Sequence, residues 1–333
     1  MKYSSVLFFL TVLFACQSEP VAPDVSDIEL DLTVVRFEQE LFEIDTVDRV
    51  KQIEKLIEKH PEFAEVFVYQ IIADPNFGND GIKSTSVFIR DSFIRALNDT
   101  CQLVYGDFSP YELDFKRALQ YFKFYFPEKP TPVLYTCVSG FEVGSFTIGD
   151  EILGVGLDFY LGADYPNYHP DLFPAYIKSF MSSEFLVSKT IQALLANCVG
   201  ETPGNRLLDF MIRNGIELYL KQKVLPYKPD EIIFEYTPEQ MQWLRNNEAQ
   251  IWAHLVQEDL LYSVNFRSFQ KIVNPSPNIS SMPPEAPGRL GNWIGARIVA
   301  NYMQRNPDTD LHELLSIKDA DKILAGSNYK PRQ

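Results

Sequence analysis

Histidine is the scarcest chemistry-bearing residue in this chain of 333. Only His60, His169, His254 and His312 occur. A helix-borne zinc site needs two imidazoles one turn apart, and no two of these four are so spaced. Basic residues are also short, with 30 Lys and Arg against 45 Asp and Glu and a formal charge of −15. Phosphate binding requires clustered cations, so this balance argues against a nucleic-acid partner. It argues equally against electrostatic adhesion to anionic lipid. Four cysteines do not make a disulfide scaffold. Walker loops, G-x-G-x-x-G turns after a strand and G-x-S-x-G elbows are all missing. No cofactor is expected.

Apolar material is plentiful. Hydrophobic residues make up 46% of the chain and aromatics 14%, which is the composition of a globular protein and not of a disordered one. The N-terminus reads MKYSSVLFFLTVLFAC. Lys2 precedes an apolar run from Val6 to Ala15, too short to span a bilayer and suited to a signal peptide. Leu13-Phe14-Ala15-Cys16 resembles a bacterial lipobox, in which cleavage falls before the cysteine and that residue is acylated. The alternative is an ordinary signal peptide with an incidental Cys16. The expected layout is a signal peptide over 1–15, a lipidated Cys16 with a flexible tether over 16–27, and one domain over 28–333. Acyl chains would supply the membrane anchor, since each buried methylene adds about 0.8 kcal/mol. No later run of about 18 apolar residues predicts a transmembrane helix in the mature chain. Cys101, Cys137 and Cys198 remain, either as one disulfide with a leftover thiol or as three small buried residues.

Along the body, Ile28, Leu30, Leu32 and Val34 alternate with polar residues and predict a half-buried strand. Val47, Val50, Ile53, Leu56 and Ile57 share a helical face. Pro61 starts a helix to about Ala73, and another is expected over 82–98. Ser109-Pro110-Tyr111-Glu112 reads as a capping box opening a helix that ends before Pro127. Strands are expected over 131–138, 145–149 and 151–158. Beyond about 173 the pattern is helical: 174–197, 205–222, a helix from the Thr237-Pro238-Glu239-Gln240 capping box to about Tyr262, then 290–305, 310–316 and 319–326. Gly291 and Gly295 suggest close helix packing. The fold class is α+β, a helix-rich single domain with a small mixed sheet.

Several blocks together carry a resemblance. They are Gly154-Val155-Gly156-Leu157-Asp158-Phe159-Tyr160-Leu161-Gly162 with Tyr165-Pro166; Leu225-Pro226; Tyr236 to Gln240 leading to Trp243 and Trp252; Pro287-Gly288-Arg289-Leu290-Gly291-Asn292-Trp293; and Asp319 to Leu324 with Tyr329-Lys330-Pro331. From about Ile28 to Pro331 the chain resembles the gliding-motility lipoprotein GldB family of the Bacteroidetes. More distantly, it is similar to a bacterial family of zinc proteases with a zincin-like fold. The first resemblance implies a lipid-anchored, periplasm-facing protein of the inner or outer membrane, with partners in the gliding or type IX secretion apparatus. The second implies a metalloprotease-like frame of two helices, 174–197 and 205–222.

The zinc ligands are missing from that frame. The implied register places Ser183 and Val187 where two histidines belong, Glu184 where the general base belongs and Asn214 at the third ligand. No histidine lies between His169 and His254, so no shift of register restores the pair, and Val187 cannot bind a metal. The sequence therefore reads as a frame without its metal, with no catalytic residue assigned. Asp158, Tyr165, Tyr168, His169 and Arg289 are candidates to line a cleft beside an edge strand. Arg289 would either bind an anion or cap a helix and pair with a core carboxylate. The expected function is partner or peptide binding in a degenerate cleft. The competing reading is a hydrolase with a histidine-poor site, using residues such as Glu184 and Asp158. A third is a purely structural lipoprotein.

Overall fold

Leu30 and Leu32 are buried and their neighbours Glu29, Asp31 and Thr33 exposed, as the alternation predicts. The computed structural model describes residues 22–45 and 47–331, so the signal peptide and Cys16 lie outside the described residues. The ladder itself begins only at Val34–Arg36 (β1), where Val34 faces Leu134. Residues 28–33 lie ahead of the ladder, with the Thr33 carbonyl accepting the Leu134 N–H at 2.9 Å, and the Gln120 side chain holds the Ile28 carbonyl at 2.9 Å. Val133–Cys137 (β2), Ser145–Ile148 (β3) and Ile152–Gly156 (β4) complete a sheet of order β1-β2-β4-β3. The β1–β2 and β2–β4 pairs are parallel, while β3 closes an antiparallel hairpin on β4 through Gly149 at φ 57°. Strand β3 therefore forms one edge of the sheet.

Successive strand residues face opposite sides, and the sheet separates two cores accordingly. Leu134, Leu153 and Val155 join the larger core, and Tyr135, Cys137 and Ile152 the smaller. The smaller core is aromatic. Phe63 stacks on Tyr135 with centroids 4.3 Å apart and meets Phe37 edge-on. It is covered by Phe37–Phe42 (α1), Arg49–Lys59 (α2) and Pro61–Val66 (α3), the last continuing as a wide turn through Ile71. On α2, Ile53 and Leu56 are buried and Val50 is exposed, and Val47, expected on the same face, is exposed ahead of the helix.

The helix expected over 82–98 is two helices, Gly81–Phe88 (α4) and Ser92–Tyr105 (α5). The break is Asp91, whose carboxylate accepts the N–H groups of Phe93 and Ile94 and so caps a new start. Ser109–Tyr125 (α6) follows. Its capping box is not formed: Ser109 lies inside the helix and bonds back to Asp107.

The C-terminal half is helical. Ala175–Lys178 (α7) and Ser183–Val199 (α8) replace the single helix expected over 174–197. Leu207–Val224 (α9) packs on α8 and, more extensively, on Leu290–Arg305 (α14). Between them lie Asp230–Phe234 (α10), Pro238–Asn246 (α11), Glu248–Gln257 (α12) and Phe266–Val273 (α13). Leu311–Ser316 (α15) and Ala320–Ser327 (α16) end the chain. The Thr237 box is formed, with the hydroxyl accepting from Gln240 N–H and the Gln240 side chain accepting from Thr237 N–H. Its helix stops at Asn246 and restarts at Glu248, because the Asn247 side chain bonds back to the Trp243 carbonyl at 2.7 Å. Helices α1, α10 and α13 have no counterpart in the expected pattern.

Gly215 and Gly295 fix the α9–α14 contact. A β-carbon on Gly295 would lie 1.9 Å from the Met211 carbonyl oxygen, and one on Gly215 would lie 2.3 Å from the Gly295 backbone. Only glycine allows two helix backbones this close. The packing reading of Gly295 is thus met.

Candidate functional site

Helix α9 carries Arg213, Glu217 and Lys221 at i, i+4 spacing, which stacks them along one face. Opposite them, α8 contributes Lys189 and Gln192. The five side chains meet Glu235, just past α10, and Arg289, just before α14. Lys221 is fully buried and its Nζ donates to Gln192 Oε1 at 2.7 Å and lies 3.4 Å from Glu235 Oε1. Gln192 Nε2 donates to Glu217 Oε1 at 2.6 Å. Arg213 pairs with the other Glu217 oxygen. Lys189 Nζ and Arg289 Nη1 both approach Glu235 Oε2, at 3.1 and 3.2 Å.

Glu235 and Arg289 both adopt left-handed backbone conformations, φ 54° and 62°. A non-glycine residue pays about 1–2 kcal/mol for this. The two strained residues hold each other, since Arg289 Nη2 also donates to the Glu235 backbone carbonyl at 2.9 Å. The guanidinium lies against the rings of Phe180 and Tyr236. Arg289 therefore pairs with a core carboxylate, one of its two expected roles.

The electrostatics follow from burial. Loss of water pushes the Lys221 ammonium down to about 8, although Glu235 acts to raise it. Burial acts to raise the Glu235 carboxyl, but Lys189, Lys221 and Arg289 together hold it well below the usual carboxylate range. The linked network holds four cations against two carboxylates, in a chain whose overall charge is −15.

Two cavities open on this network and share Gln192, Glu235 and Arg289 in their walls. One, of about 330 Å³, extends past Lys189 to Ser145 at the start of β3, Tyr160, Phe159 and Phe180. The other, of about 210 Å³, extends to Asn214, Glu217, Tyr236, Asn292 and Trp293. Hydroxyls line the first wall: Ser145 Oγ is 2.7 Å from Tyr160 Oη and 2.9 Å from Thr190 Oγ1.

The positions inferred from the zincin register do not converge. Ser183 and Glu184 lie in the first turn of α8, with Glu184 exposed, and Val187 is buried in the larger core. Asn214 does line the smaller cavity, donating to Asn292 Oδ1 at 3.0 Å. Of the five cleft candidates, Arg289 lines both cavities and the other four line neither. Asp158 is buried and accepts the N–H of Phe141 at 2.6 Å and that of Ser139 at 3.2 Å, pinning the loop between β2 and β3. Burial pushes its carboxyl up to about 6, against the pull of those N–H groups. Tyr168 is buried, donating to the Asp158 carbonyl at 2.7 Å, while Tyr165 packs against its ring. His169 is exposed, with Asp171 at 3.5 Å.

The other histidines are separate. His60 sits between Tyr135 Oη and Glu40, His254 reaches Ser281, and His312 lies near Glu128. Among the described residues, no group of three or more His, Cys, Asp or Glu is placed to hold a metal ion. Cys101, Cys137 and Cys198 are free thiols. Burial raises all three thiols, Cys198 to about 11.

Lys189, Gln192, Lys221 and Glu235 were not anticipated as site residues. The nearest thing to a signal was the Arg213–Glu217–Lys221 spacing, which stacks a carboxylate between two cations along one face of α9. Glu235 gave none, because its partners come from three distant segments.

Fold and site define a helix-rich α+β protein with a small mixed sheet and a cation-rich cleft between helices. A sequence model described as gliding motility protein GldB matches residues 18–331, and the chain belongs to that family. Membership makes it a gliding-motility lipoprotein of the cell envelope. Neither a curated protein nor a solved structure matches the chain. Among the described residues, no helix is long and apolar enough to cross a membrane.

Proposed function

We propose that this protein is a lipid-anchored, non-catalytic binding component of the gliding or type IX secretion machinery. Acyl chains on Cys16 hold it to the envelope membrane, residues 16–27 act as tether, and residues 28–333 present the cleft to an envelope protein or peptide. Strand β3 offers a sheet edge beside the cleft, and an extended segment can pair with such an edge while its side chains enter neighbouring pockets.

One observation carries this reading. Between α8 and α9, Lys189, Gln192, Lys221 and Glu217 are tied through Glu235 into one network of hydrogen bonds and ion pairs, while Ser183, Glu184 and Val187 do not converge on any site. Ammonium groups do not bind zinc, and a neutral amide is a poor ligand for it. Lys221, which burial holds below its usual range, is enclosed and its donors are taken up by Gln192 and Glu235. The hydrolase reading has no comparable support, since Glu184 is exposed and Asp158 is committed to a loop.

A photo-crosslinking side chain placed at Phe159, on the cleft rim, tests the proposal in intact cells. One discrete protein adduct, lost when Lys189 is replaced by Glu, is expected. A crosslink pattern unchanged by that replacement would remove the cleft from partner binding.

A further inference from the structure

The cleft cations are not used up by the protein. An ammonium has three N–H donors and a guanidinium five. Among the described residues, Lys189 is paired with Glu235 alone. Arg289 directs one N–H to the Glu235 carboxylate and one to its carbonyl. Lys221 is largely satisfied by Gln192 and Glu235. The surplus donors thus belong to Lys189 and Arg289, the two cations that line the larger cavity. Behind them, Lys221 and Arg213 leave the connected network two positive charges in excess of Glu217 and Glu235.

We propose that Lys189 and Arg289 form a binding site for a carboxylate carried by an acidic segment of a peptide partner. Arg289 offers the planar fork that suits a carboxylate, and Lys189 adds a point charge beside it. The ring contacts of Phe180 and Tyr236 keep the guanidinium in place, which reduces the ordering cost on binding. A peptide fits better than a free ion. The site continues on both sides of Arg289 into cavities of about 330 and 210 Å³, with Phe159 on one flank and Trp293 on the other. Those flanks can hold the side chains next to the acidic residue. The inference rests on the reading of the cleft as a partner-binding groove, and adds the chemistry of what it receives.

The test is a titration of the full mature chain with three probes: the capped pentapeptides Val-Asp-Val-Asp-Val and Val-Asn-Val-Asn-Val, and succinate. The Asp peptide is expected to bind at least about tenfold tighter than the Asn peptide. Lys189→Gln and Arg289→Gln are each expected to abolish that preference. Lys189 has one protein partner and a partly exposed side chain, so its variant keeps the test valid even where Arg289→Gln fails to fold. Equal binding of the two peptides overturns the carboxylate site while leaving the groove intact. Succinate binding that depends on Lys189, with no gain from the peptide, supports the carboxylate site and removes the groove. A preference for Asp that survives Lys189→Gln, or no binding of any probe at about 10 mM, overturns the proposal.

Discussion

Helix α9 meets α14 with backbones in contact at Gly215 and Gly295, and meets α8 through a chain of charges and amides. The two contacts share one helix and differ in physics. At the glycines, dispersion and burial are gained with nothing left to desolvate. At the ionic contact, Lys221 loses its water completely and is repaid by Glu235 and Gln192, an exchange that is often no better than neutral against apolar packing. The glycine contact can be explained by stability alone, and the ionic contact cannot. On the proposed reading, this polar network facing two cavities is the side of the helix that receives the partner.

The largest effect is expected at the dry contact. Gly295→Val places side-chain atoms against the Met211 carbonyl and should cost more than about 3 kcal/mol in urea unfolding. An unchanged unfolding midpoint would show that α9 and α14 can separate freely. Next is the ionic contact. Glu235→Gln leaves Lys221 buried without its carboxylate and should cost about 3 kcal/mol. Adding Lys221→Met in that background should recover much of the loss. A double variant weaker than the single one would mean that the charges stabilise the fold after all.

Away from the cleft the expected effect is a pH dependence, up to about 3 kcal/mol across its whole window and less at any single pH within it. Because the Asp158 carboxyl is raised to about 6 in the folded chain, the folded state binds more protons than the unfolded state between about pH 4 and 6. The contribution of this group to stability therefore falls as pH rises through that window. Asp158→Asn should flatten that segment of the stability profile, and an unaltered slope would assign the titration elsewhere. The smallest effect is at Glu184. Its exposure predicts that Glu184→Ala changes stability by less than about 0.5 kcal/mol and leaves peptide binding unaltered.

The same comparison explains what could be read from sequence. The glycine contact was legible from one side, because Gly291 and Gly295 stand at helical spacing in one segment, whereas nothing marked Gly215 as the partner. Strands β2, β3 and β4, and helices α9 and α14, were legible from local periodicity and turn residues. Breaks made by one side chain bonding to nearby backbone, such as Asp91 and Asn247, were not, since apolar spacing continues across them. The ionic site was legible only in part. Arg289 stood in a recognisable block and Asn214 at a position implied by the zincin resemblance, but Lys189 and Lys221 looked like ordinary helix lysines, and their meeting at Glu235 exists only after α8, α9, α10 and α14 have packed. Asp158 misled because a carboxylate in a distinctive block suggests chemistry, whereas its oxygens are spent on the N–H groups of Ser139 and Phe141.

The central claim is that the helix pair α8–α9 holds a cation-rich binding site and not a hydrolytic zinc centre. Its most direct test is the zinc content of the purified full-length chain, measured by mass spectrometry after growth in zinc-replete medium. The account predicts far less than one zinc per chain, unchanged by Glu217→Gln. One tightly held zinc per chain, lost with Glu217→Gln, would contradict it.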